Sequence, residues 1–344
     1  MNRIKRTWAT CMVMGAAALS LPAASTLADD PALGGVPATV FGEDVAMTAY
    51  IDVEGMTPAD LQAASEKMGN LIPMPNGAED AAEGEEAEDG IAKYTEFRNA
   101  FTGSGGKGAL FLVEVPVGDA EPDVKPVVMV KVNPGADKQG ILDAMSMMSD
   151  DPADMEGVDL QPAGPGWMLA TGPELGTPAA DGNPQNMATL SSAMGTYGTA
   201  PVRMGFRLTN AMQAELATQI QGMEAGAGGN PMAGMFAGLA KGFQKTQYIG
   251  AGFQVKGDPQ MMIAMKFPNA EDASGFQTGY TNALNMMWGF VSMQAGPDAD
   301  PADMQAIFNA LQMQAQGDSL EMVIGPDALG AVSNMAPAMG VPVP

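Results

Sequence analysis

Residues 248–267, YIGAGFQVKGDPQMMIAMKF, hold two alternating runs around a tight turn. Ile249, Ala251, Phe253 and Val255 alternate with Gly250, Gly252 and Gln254. Beyond Lys256-Gly257-Asp258-Pro259, Met261, Ile263, Met265 and Phe267 alternate with Met262, Ala264 and Lys266. A period of two on each side of a Gly/Pro turn predicts a β-hairpin. A two-stranded hairpin is barely stable alone, so the chain must supply further strands and a covering layer. Residues 109–115 and 127–132 predict an earlier counterpart.

The elements around the two hairpins fall in a repeated order. In the first half, residues 45–53 predict a strand. Thr57-Pro58-Ala59-Asp60 then starts a helix, with Thr57 as N-cap and Pro58 in the first turn. A short helix over 94–101, the hairpin, a helix over 137–148 and short strands at 158–161 and 167–170 follow. In the second half, a strand over 202–208 precedes helices from Asn210 and Pro231, the hairpin, helices over 271–293 and 300–314, and a strand over 320–324. The order argues for a tandem duplication. Its β-α-β-β-α-β core predicts an α+β fold of two ferredoxin-like units, each an antiparallel sheet with helices on one face, whose open faces need a cover. Residues 44–171 and 184–325 are the expected halves. Residues 29–43 form a flexible lead-in, 172–183 a Gly/Pro-rich linker, and 326–344 a Pro/Gly-rich tail.

The first residues read as an address. Arg3, Lys5 and Arg6 precede an apolar stretch that ends in small residues, which predicts a secretory signal cleaved after Ala28 and a periplasmic or secreted location. No later stretch is long and apolar enough to span a membrane. The opening of the first half, VAMTAYIDVEGMTPADLQAASEKMG over residues 45–69, resembles that of exported bacterial proteins with no assigned activity. The resemblance implies export and carries over no functional residue.

Composition then excludes chemistry. The 344 residues hold no His, and the one Cys, Cys11, lies in the leader. Ser-His-Asp and Cys-His catalysis and zinc sites built from His and Cys are ruled out, and no disulfide holds the fold. With 16 Lys+Arg against 40 Asp+Glu, a net charge of −24 repels nucleic acid and anionic lipid.

The remaining candidates are few. The 31 methionines include Met145-Ser146-Met147-Met148, Met232 with Met235, Met261-Met262 with Met265, and Met286-Met287. Thioethers suit Cu(I), but methionine on apolar faces also fills core gaps. Residues 103–108, GSGGKG, miss the phosphate-loop pattern, because Phe101 and Gly108 stand where Gly and Ser/Thr belong; they read as a flexible connector. Asp150, Asp151, Asp154 and Glu156, and Asp298, Asp300 and Asp303, are carboxylate groups that calcium could use, without the twelve-residue loop pattern. The acidic run 79–89 reads as a mobile surface loop. Asp52 and Glu114 are strand acids that a carboxylate-dependent hydrolase could pair.

The sequence thus points to an exported, soluble, acidic α+β protein with no catalytic residue, no cofactor and no defined metal site. Its expected role is a non-catalytic binding or structural module, with a protein as the open class of partner. The expected surface is the sheet face bearing Arg203 and Arg207, exposed or salt-bridged, or the Met-rich helices 271–293 and 303–314. A metal-binding protein using methionine or carboxylates, and a carboxylate-dependent hydrolase, are the rival readings.

Overall fold

The computed structural model describes residues 33–68, 85–115, 125–149, 155–178, 182–226, 231–294 and 300–335. The expected signal, residues 1–28, lies outside them. The strands are β1 (Val45–Ile51), β2 (Gly106–Glu114), β3 (Val127–Val132), β4 (Asp159–Gly164), β5 (Trp167–Thr171), β6 (Val202–Phe206), β7 (Tyr248–Gln254), β8 (Gln260–Lys266), β9 (Gln314–Gln316) and β10 (Ser319–Ile324). The helices are α1 (Pro58–Met68), α2 (Glu85–Gly103), α3 (Lys138–Met147), α4 (Pro184–Gly195), α5 (Asn210–Gly226), α6 (Pro231–Gln244), α7 (Ala270–Gln294), α8 (Pro301–Ala310) and α9 (Pro326–Met335).

The strands form one antiparallel sheet in the order β4-β5-β3-β2-β1-β6-β7-β8-β10-β9. The order reads the same outward from the β1–β6 pair, as 1-2-3-5-4 on one side and 6-7-8-10-9 on the other. The fold is therefore α+β, but a ferredoxin-like unit would hold its first two strands parallel with another strand between them. Here β1 and β2 are direct antiparallel neighbours, as are β6 and β7. In the first half the number of helical passes accounts for this. Two helices, α1 and α2, return the chain to the end it left, so the next strand runs back. A single helix, α3, links β3 to β4, and these two run the same way with β5 between them.

Both faces of the sheet are covered, and alternation decides which residues meet which layer. Phe111, Val128, Val130 and Ala170 pack with Leu61 and Ala64 of α1, Phe97 and Phe101 of α2, Ile141 and Ala144 of α3, and Ala328 and Leu329 of α9. Farther along that face, Met265 and Leu320 pack with Phe276 of α7 and Leu239 of α6. On the opposite face, Tyr50, Leu110, Leu112, Met129 and Trp167 lie under Leu33, Val36, Val40 and Phe41, and under Leu190 and Met194 of α4. The two halves lie side by side in one sheet and do not cap each other's open face, as the sequence led us to expect. Residues 33–41 and α4 cover it instead. The described part of the lead-in is thus core, held by its four apolar side chains and by the Trp167 Nε1 bond to the Gly34 carbonyl, 2.9 Å.

α4 has no counterpart among the expected elements. Asn183 caps it by accepting from the backbone N–H of Gln185 and Asn186, and Pro184 occupies its first turn. Asn186 Nδ2 donates to the Gly42 carbonyl at 2.9 Å and ties the helix to the entry of β1. The helix sits directly on strand backbone. A Cβ on Gly250 would stand 2.2 Å from the Ala193 carbonyl oxygen, and one on Gly205 2.9 Å from that of Leu190. Those glycines exist to admit α4.

Three further expectations are corrected. The tail begins with α9, because Pro326 suits a first helical turn and Ala328, Leu329 and Ala331 have a core to enter. The part of the acidic run at 85–89 is the start of α2; residues 79–84 lie outside the described residues. The GSGGKG stretch is no flexible connector: Gly105 turns at φ +93°, and β2 already begins at Gly106, where the Phe101 ring fills the space a Cβ would need.

Candidate functional site

The helices α6 and α7 carry the feature that most resembles a site. They run antiparallel: a Cβ on Gly242 would meet the Phe276 ring at 2.8 Å, and one on Gly279 would lie 3.4 Å from Leu239. Followed toward the start of α6 and the end of α7, this register brings Met232 level with Met286, and Phe236 about a turn nearer the sheet end of α7. Phe236 is 39% exposed, Met232 39%, Met287 49% and Met293 74%. Met147 on α3 is the one other exposed large apolar side chain among the described residues.

α7 has 25 residues, about 37 Å at the helical rise, and is longer than β8, which has 7, about 23 Å. Up to Leu284 the helix buries side chains against the sheet layer, and beyond it Trp288 packs on Phe308 of α8, with ring centroids 5.2 Å apart. The surface is also uncharged. α7 has no charged residue after Asp272, and the one charged residue of α6, Lys241, is paired with Glu224 of α5 at 2.5 Å. Unbranched, polarisable methionine beside phenylalanine makes an adaptable apolar surface.

The face bearing Arg203 is not a surface. Arg203 is 4% exposed, lies 4.8 Å over the Tyr50 ring, and donates from Nη1 to the Gly198 carbonyl. Lys131 continues the row, 5.9 Å from the Tyr50 ring and 5.6 Å from the Trp167 ring. Arg207 is half-buried; its Nε donates to the Val45 carbonyl at 3.1 Å and its Nη2 to that of Glu43. Burial pulls its pKa below the ordinary value, against the charges of Glu43 and Asp44. Both arginines fasten backbone. The expectation of exposure fails for Arg203, because α4 and residues 33–41 cover this face.

The acids do not assemble. β1 and β2 pair with Ile51 opposite Ala109 and Val45 opposite Glu114, so Asp52 and Glu114 lie at opposite ends of the pair. Seven residues of strand put them about 23 Å apart, well beyond the spacing of about 5–10 Å that glycoside hydrolysis needs. Asp52 instead holds a turn by accepting from the Gly55 N–H at 2.8 Å. Glu114 is raised above the ordinary carboxylate range by burial and by Asp44. Asp300 caps α8 through the Ala302 N–H, 2.8 Å away, with Asp303 in the first turn, and Glu156 is exposed. Asp150, Asp151, Asp154 and Asp298 lie outside the described residues. Among the described residues no three or more Asp, Glu, His or Cys side chains gather where a metal could sit.

Alternation separates the methionines too. Met261 packs with the α1–α3 core and Met265 with the α6–α7 core, whereas their neighbour Met262 lies on the other face against Tyr197 and Ala200. Met129, Met194, Met265 and Met322 are buried in the core.

One buried pair was not foreseen. Glu321 alternates with Leu320 and Met322 and so faces the α4 side of β10. It is 7% exposed and accepts from Gln316 Nε2 at 2.9 Å. Burial raises its carboxyl above the ordinary range. The Tyr197 hydroxyl is also buried, with no hydrogen-bond partner among the described residues, and burial followed by the Glu321 charge raises its pKa. The sequence signal was there: an acid inside an alternating strand becomes a buried acid once both sheet faces are covered.

No helix among the described residues is long and apolar enough to cross a membrane. Comparison with protein-family models, with curated proteins and with solved structures finds no match.

Proposed function

We propose that this chain is an exported, acidic, non-catalytic binding module that docks a protein through the uncharged Met/Phe face of α6 and α7. One observation carries the assignment: Met232, Phe236, Met287 and Met293 stand exposed on two neighbouring helices, in a chain of net charge −24, with no charge among them. Contiguous exposed apolar surface marks interaction sites. Export is supported by the basic, apolar and small-residue order of residues 1–28. A non-catalytic role is supported by the absence of His and by the wide separation of Asp52 from Glu114. A tandem origin is supported by the matching strand order on either side of β1–β6.

The test uses an environment-sensitive apolar dye on the folded protein. The dye is expected to bind and brighten, and the double variant Phe236→Ser, Met287→Ser is expected to lose most of that signal at an unchanged melting temperature. Equal dye binding by the variant would place the apolar surface elsewhere and sink the assignment.

A further inference from the structure

We infer that the exposed methionines of the α6–α7 face are sites of reversible sulfoxidation, and that oxidation there turns docking off; this rests on that face being the docking surface. Every exposed large aliphatic side chain among the described residues is a methionine: Met147, Met232, Met287 and Met293. None is leucine or isoleucine, although Leu110, Leu190, Leu320 and Ile141 fill the core. Leucine would serve apolarity equally well. Beyond its flexibility, methionine brings a thioether, which an oxidant converts to a sulfoxide. No thiol competes for that oxidant, since the one cysteine, Cys11, lies in the expected leader. The fold also sorts sulfur by access. Met293 is the most exposed, followed by Met287, whereas Met129, Met194 and Met322 are closed to solvent. The reactive thioethers are therefore those whose modification leaves the core untouched.

The chemistry balances with hydrogen peroxide as the oxidant. The sulfur lone pair attacks one peroxide oxygen, the O–O bond breaks and an S–O bond forms. The proton on the transferred oxygen passes to the departing hydroxide, which leaves as water. Sulfur gives up two electrons and the peroxide takes them. The product is polar where the thioether was apolar. Its oxygen accepts hydrogen bonds from water and is costly to bury without a partner. A face built on Met287 and Met293 then holds to water instead of to an apolar partner. A dithiol reverses the step: it becomes a disulfide, and the sulfoxide oxygen leaves as water.

Limiting hydrogen peroxide on the folded full chain tests this, read by peptide mass mapping, apolar-dye binding and melting temperature. Sulfoxides are expected to form at Met287 and Met293 at least about tenfold faster than at Met129 and Met194. Most of the dye signal should go at an unchanged melting temperature, and methionine sulfoxide reductase with dithiothreitol should restore it. The triple variant Met232→Leu, Met287→Leu, Met293→Leu should bind dye like wild type and keep the signal after peroxide, while Met147 on α3 is still oxidised. Equal oxidation of exposed and buried methionines overturns the inference. So does a dye signal that survives sulfoxide formation, or one that peroxide also removes from the leucine variant. If dye binding is lost in the Phe236→Ser, Met287→Ser variant but not on oxidation, the docking surface stands and only the switch is wrong. If dye binding survives both, both readings fall.

Discussion

Glu321 is a buried acid whose ionisation should lower stability. Its folded-state carboxyl is raised above the ordinary value of 4.5 because burial penalises the charge. Well below that value the group is neutral folded and unfolded, and no penalty exists. As pH rises past it the unfolded chain ionises first, so stability is lost through the window up to the raised value and stays lost above it. Glu321→Gln should therefore melt above wild type near pH 7 and at the same temperature near pH 3. A variant that is no more stable near pH 7 would show that the buried carboxylate is fully compensated. Arg203 teaches the complementary lesson. Alternation placed it opposite Val202 and Met204, which was right. Its exposure was a matter of what lies above the sheet, and a strand pattern carries no information about that.

At the scale of elements, legibility followed the strength of local pattern. Both hairpins and the helices opening at Pro58, Pro231 and Pro301 were readable, because alternation and capping are written in the segment that forms them. α4 and α9 were not. Small residues and short apolar stripes in both resemble loop composition, and part of their evidence lies on other strands. Gly205 and Gly250 record the presence of α4, but only once the chain is folded do they lie beneath it. Gly250→Ala should cost about 2–3 kcal/mol by forcing a methyl group against the Ala193 carbonyl, read by denaturant unfolding. A change under about 0.5 kcal/mol would mean that α4 shifts freely. For α9, Leu329→Ala should cost about 2–4 kcal/mol, since Leu329 shares a core with Leu61 and Ala64 of α1. A neutral result would make α9 a peripheral appendage. The exposed Met/Phe surface was half legible: the methionine-rich helix over 271–293 was named, but which of its side chains stay exposed depends on what the folded chain packs against them.

For the whole molecule, the strand order was the least readable property. Two helices return the chain beside the strand it left between β1 and β2, and one strand farther out between β8 and β9; local pattern does not distinguish the two, and α2 was seen only in part. The outcome is one sheet, with the halves joined through β1 and β6 and again through α9 on α1. Unfolding should be a single transition. In the chain without residues 1–28, Trp288→Phe leaves Trp167 as the reporter of the first half. Its fluorescence should melt together with the far-ultraviolet circular dichroism of the whole, and two separated transitions would show independent halves. Residues 184–344 made alone would bare β6 as an edge and should aggregate. The β1–β6 junction also sets a clock. During synthesis β1 is complete at Ile51, but its partner begins only at Val202. At about 5–20 residues per second, roughly 150 residues take about 8–30 s. For that interval the middle of the finished sheet is an unshielded margin of the growing chain, and whatever keeps the nascent protein from pairing with its neighbours must act within it.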